Sequence, residues 1–94
     1  MEKLFEPVAL IRGGVFLLKA EDALRFVEEC EQRRVAILGV EGFRLLEQMI
    51  QPFQEHSFDL ERVNPESHKI TKDFIANRLD QNLWFEVVTA DRTN

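Results

Sequence analysis

The chain has no tyrosine, one cysteine, one tryptophan, two histidines and three prolines among its ninety-four residues. A single thiol, Cys30, cannot close an intramolecular disulfide, so the fold must rest on its core, and the place of Cys30 in a helical apolar pattern reads as burial. Metal ligands are equally scarce. The best local pair, His56 and Asp59, would need Cys30 or His68 to join it from distant elements, so no metal and no other cofactor is expected. No run approaches the ~20 apolar residues that a membrane-spanning helix needs, and M-E-K-L-F-E-P has neither the basic opening nor the apolar stretch of a signal peptide. The expected compartment is the cytoplasm, with no membrane partner. Basic residues are in deficit too: twelve Lys and Arg against seventeen Asp and Glu leave a net charge of −5. That balance argues against a nucleic-acid partner, because phosphate affinity needs an excess of cations.

What the chain does have is 45% hydrophobic and 31% charged residues, with eight Phe. That supply suits one domain over residues 1–94. At this size a chain buries only about 60–65% of its unfolded surface, so stability should be ordinary, and a homodimer is a common way of adding to it.

Val8 to Lys19 reads V-A-L-I-R-G-G-V-F-L-L-K, two β-prone runs around a glycine pair, which is a hairpin signal. The alternative is a single strand, Val15 to Leu18, after an extended arm. From Ala20 to Arg34 the period turns helical: Ala23, Phe26, Val27 and Cys30 fall on one face, and Asp22, Arg25, Glu29 and Gln32 on the other. Glu21 and Asp22 in the first turn and Arg33 and Arg34 in the last would complement the helix dipole, while no good capping side chain precedes it. Val35 to Phe43, V-A-I-L-G-V-E-G-F, then begins as a strand covered on both faces.

Arg44 to Phe53 is two-sided. Phe43, Leu46, Ile50 and Phe53 match a helical series, but Pro52 and the β-prone flanks favour a hairpin turning near Glu47 and Gln48. Asn64-Pro65-Glu66 reads as cap, first helical residue and first-turn acid of a second helix, whose buried face would be Ile70, Phe74, Ile75 and Leu79. Leu83 to Thr89 is a last strand with Trp84 in the core, followed by a polar tail. The order β-α-β-β-α-β predicts an α+β fold, a mainly antiparallel sheet with two helices on one face, and ferredoxin-like connectivity is its simplest topology.

No nucleophile sits in a strained elbow or glycine frame, and Ser57 beside His56 is adjacency alone, since neighbours on a strand point to opposite faces. An enzyme would need a cleft converging on His56 or His68 with a carboxylate; none is legible, and no enzymatic activity is expected. The carboxylates of Glu41–Arg62 are the one concentration worth weighing: Glu41, Glu47, Glu55, Asp59 and Glu61 against Arg44 and Arg62, a net −3. Solubility alone accounts for such a balance in many small proteins. The sharper expectation is an acidic face that docks a basic partner, with Phe43, Phe53 and Phe58 available as apolar anchors. Reversing Glu55 and Asp59 to Lys should then weaken that partner's binding more than it alters folding.

The run A-L-R-F-V-E-E-C-E, the core V-A-I-L-G-V-E-G-F and the later I-Q-P-F-Q-E-H-S-F-D-L resemble short bacterial proteins of the colicin-type and polymorphic-toxin immunity families. The resemblance covers roughly Ala20 to Leu60, and I-L-G-V-E-G-F is its distinctive part. It implies an acidic cytoplasmic protein that binds a cognate toxin and blocks it by occlusion, with no chemistry of its own. The other function in view is a small-molecule-binding or dimerising regulatory module on the same fold, which would carry a discrete apolar pocket or a self-complementary sheet face.

Overall fold

The computed structural model describes residues 2–46, 49–59 and 66–90, with the backbone alone for 45–46 and 49–59. A 3-10 helix, Glu2–Val8, leads into β1 (Leu10–Arg12), β2 (Val15–Lys19), α1 (Ala20–Gln32), β3 (Ile37–Leu46), β4 (Met49–Asp59), α2 (Ser67–Ala76), a 3-10 turn at Leu79–Gln81 and β5 (Trp84–Thr89). The fold is α+β, and the elements from β2 to β5 follow the expected β-α-β-β-α-β order.

The glycine pair does turn a hairpin. Arg12 pairs with Val15 across Gly13 and Gly14, whose φ angles of +55° and +81° place both in the left-handed region that the tight two-residue turn requires. The second hairpin also forms, with Leu46 opposite Met49; its turn residues, Glu47 and Gln48, lie outside the described residues.

All neighbours in the sheet are antiparallel, in the order β1-β2-β5-β3-β4. β2 and β3 therefore run parallel with β5 between them, and β4 and β5 run parallel with β3 between them. Each crossover is made by a helix, α1 and then α2. This differs from ferredoxin-like connectivity, in which the first and third strands of the β-α-β-β-α-β set meet at the centre. Here the second and fourth, β3 and β5, meet instead, and the third, β4, is an edge. Pro52 gives the physical reason. It sits in β4 opposite Phe43, has no N–H to donate to a second neighbour, and so belongs on an edge.

Both helices pack on one face, α1 over β2 and β5, α2 over β3, and each against the other. Between them lies the core: Phe16, Leu18, Phe26, Val27, Cys30, Ile37, Val40, Ile75, Leu83, Phe85 and Val87. The predicted buried face of α1, Ala23, Phe26, Val27 and Cys30, is buried in full. The helix stops two residues before the predicted end, in a Schellman motif: Val35 N–H donates to the Cys30 carbonyl at 2.8 Å and Arg34 N–H to that of Glu31 at 3.2 Å, with Arg34 at φ 59°. Arg33 and Arg34 thus follow α1 and do not form its last turn.

Two readings of the second half need correction. α2 begins at Ser67 behind Glu66, later than the Asn64-Pro65 signal implied; those two residues lie outside the described residues. Of the expected buried face, Ile75 is fully buried and Phe74 partly buried against the core, whereas Ile70 is 36% and Leu79, beyond the end of α2, 50% exposed; Ser67 and Thr71 are buried in their place. The small side chains at 67 and 71 let α2 sit close, and a helix face set by that approach differs from the one its largest residues would choose. Trp84 is the other correction. On β5 the buried residues alternate as Phe85, Val87 and Thr89, so Trp84 is half-buried on the face away from the helices.

Candidate functional site

The sheet face turned away from the helices sets aromatic and acidic residues side by side. Strand registers define it. Phe43 lies opposite Trp84 and Trp84 opposite Lys19, making one row across β3, β5 and β2. Two residues along, Ser57, Glu41 and Glu86 form the next row across β4, β3 and β5, and beyond that Asp59, Gly39 and Val88 form a third.

The first row is apolar with a cationic end. Phe43 is buried, Trp84 half-buried, and the Lys19 ammonium stands 5.5 Å from the Trp84 ring centroid, a cation–π distance. The second row is acidic. Directly opposed residues of antiparallel strands have Cβ atoms about 4.5–5.5 Å apart, so two like charges there repel unless something offsets them. Glu41 and Glu86 occupy such a pair, each half-buried and each held by interactions within the fold.

Of the five carboxylates singled out from sequence, Glu41 is therefore on this face, and the position of Asp59 shares it by register, opposite Gly39. Glu55 falls elsewhere. Glu41 pairs with Ser57 while Gly42 pairs with Phe53, so Gln54, Glu55 and His56 make an excursion of β4 that has no counterpart on β3. The side chains of Glu55, His56 and Asp59, and the whole of Glu47 and Glu61, lie outside the described residues. Glu86 is the acid that sequence reasoning missed. Its place inside L-W-F-E-V-V-T carries no signal of its own, and only the register of β5 against β3 sets it beside Glu41.

His68, weighed above as a distant ligand or base, has a structural role. Its Nε2 donates to the Val35 carbonyl at 2.7 Å, tying α2 to the chain that leaves α1. Beside it, the Lys72 ammonium donates to Glu31 at 2.9 Å. The hydrogen bond and then the charge of Lys72 hold the Glu31 carboxyl below its ordinary 4.5, with a smaller contribution in the same direction from His68. Among the described residues no three His, Cys, Asp or Glu side chains converge as metal ligands, and no helix is long and apolar enough to cross a membrane.

The described surface also carries grooves. One, of about 370 Å³, runs between the N-terminal 3-10 helix and α1; another, of about 270 Å³, lies where the start of α1 meets Leu79, Asn82 and Leu83. Both are open clefts with charged rims. The sheet face thus sets the aromatic side chains of Phe43 and Trp84 beside the paired carboxylates of Glu41 and Glu86. No protein-family model matches the chain, and no curated protein matches it in sequence.

Proposed function

We propose that this protein is a protein-binding inhibitor of the immunity kind, which neutralises a cognate bacterial toxin in the cytoplasm by occluding its active or substrate-binding surface. It performs no reaction of its own. The observation that carries this reading is the juxtaposition of Trp84 with the Glu41–Glu86 pair on the sheet face opposite the helices. Tryptophan is enriched among the residues that dominate interface energy, and a polar, charged surround fixes register and excludes wrong partners. A toxin that acts on nucleic acid must present cations to phosphate, and paired carboxylates meet the same cations. The resemblance of Ala20–Leu60 to immunity proteins points the same way.

The regulatory-module alternative gains less support. The two grooves carry charged side chains at their rims, unlike the mostly apolar chambers that small ligands favour. The test is a tagged pull-down from cells that co-express the product of the gene adjacent to the one encoding this chain, eluted with rising salt. Capture of that product, loss of its toxicity on co-expression, and elution only at high salt support the inhibitor. Undiminished toxicity without a complex, together with a dimer in light scattering, transfers the assignment to the dimerising module. With a partner in hand, Glu41→Gln combined with Glu86→Gln should weaken binding by about tenfold, the order of one lost charged contact. Unchanged affinity in calorimetry would remove this row from the interface.

A further inference from the structure

A groove of about 370 Å³ lies between the N-terminal 3-10 helix and α1. Phe5 pins the short helix to α1, its ring edge-on to Phe26 at 5.2 Å between centroids. That contact turns Leu4 and Val8 outward on either side, 55% and 40% exposed, and with Pro7 they form an apolar wall. The facing wall belongs to α1: Arg25, Glu28, Glu29 and Gln32.

The charged residues of the walls are Arg25, Glu28 and Glu29. The two elements as a whole carry seven carboxylates, from Glu2 to Glu31, against Lys3 and Arg25, and Lys72 of α2 pairs with Glu31. Arg25 is engaged by Asp22 at 2.7 Å, and Glu29 is engaged by Arg33 at 3.3 Å. Glu28, exposed on the groove wall, has no cationic partner among the described residues. An apolar wall facing an uncompensated carboxylate, within an acidic neighbourhood, has a definite complement.

We propose that this groove receives a short cationic amphipathic peptide segment, with an apolar side chain between Leu4 and Val8 and a lysine or arginine at Glu28. The groove lies on the helix side of the molecule, away from Glu41 and Glu86, so the proposal stands or falls apart from the sheet-face reading.

The experiment uses the full chain and a fluorescein-labelled leucine–lysine peptide of helical spacing, followed by anisotropy. Binding should saturate, and an oligolysine of equal charge should bind about tenfold more weakly, since it lacks the apolar contact. Leu4→Ser and Glu28→Lys should each lower affinity by about tenfold, while Asp80→Lys, the same change of charge on the exposed turn after α2, should shift it by no more than about twofold. Leu4, Glu28 and Asp80 are all exposed, so the variants should fold, which circular dichroism checks. The proposal is overturned if oligolysine binds as well, if Asp80→Lys weakens binding as much as Glu28→Lys, or if nothing saturates.

Discussion

Thr71 and Ser67 are the residues whose chemistry fits their surroundings least. Both hydroxyls are buried on the inner face of α2, and neither Oγ1 of Thr71 nor Oγ of Ser67 has a hydrogen-bond partner among the described residues. A buried hydroxyl without a partner carries a desolvation cost of about 1–3 kcal/mol, whereas an apolar group of the same shape does not. Thr71→Val should therefore raise stability by roughly 1 kcal/mol, seen as a higher urea midpoint with unchanged slope. A lower midpoint would mean that a buried water satisfies the hydroxyl. The sequence hid this face because Ile70 and Leu79 are larger and more apolar, yet they end up exposed. Cys30, by contrast, was legible: its spacing of three, four and seven residues from Val27, Phe26 and Ala23 puts it on the buried stripe, in the core at full burial.

At the scale of elements, the end of α1 makes a clear prediction. Arg34 holds the left-handed position of the Schellman motif at φ 59°, where an L side chain crowds its own backbone and glycine does not. Arg34→Gly should stabilise by about 0.5–1 kcal/mol, part of the relief being offset by the greater freedom of glycine in the unfolded chain. A thermal melt resolves this, and a loss of stability would show that Arg34 contributes through its side chain. The contact of α1 with α2 yields a pH dependence. Because Lys72 lowers the folded pKa of Glu31, the folded protein binds that proton less readily than the unfolded chain. The associated stability is complete above the ordinary carboxylate value of 4.5 and is lost as pH falls through the lower, folded value. Lys72→Met should be less stable than the parent at neutral pH, and the difference should vanish by about pH 2. A gap that is the same at both pH values would assign the effect of Lys72 to packing.

For the whole molecule, charge is the property that packing rearranges most. Counted along the chain, the deficit concentrates in Glu41–Arg62. In three dimensions the 3-10 helix and α1 come together with their seven carboxylates, while Arg12 and Lys19, their neighbours in sequence, leave on β1 and β2. The molecule thus presents acids on both the helix side and the sheet face. Association with a basic partner should slow steeply between low salt and roughly 0.5 M, where the Debye length falls to a few ångström. The on-rate is what stopped-flow measurements should find changed, and a salt-independent on-rate would exclude electrostatic steering.

The class of the fold, the glycine-pair hairpin, the buried stripe of α1 and the second hairpin all follow from local signals: period 3.6 in Ala20–Gln32, paired left-handed positions at Gly13 and Gly14, and β-prone runs broken by turns. Local signals act within a few residues, so one sequence suffices to read them. Strand order, the face of α2, the outward placement of Trp84 and the meeting of Glu41 with Glu86 are decided by contacts between segments far apart in the chain. Even the edge position of β4, which Pro52 demands, acquires its consequence only when β5 returns from α2 and takes the place between β2 and β3. Periodicity says which side of a strand is buried; only pairing says which strand lies beside it, and the candidate site is made of such pairs.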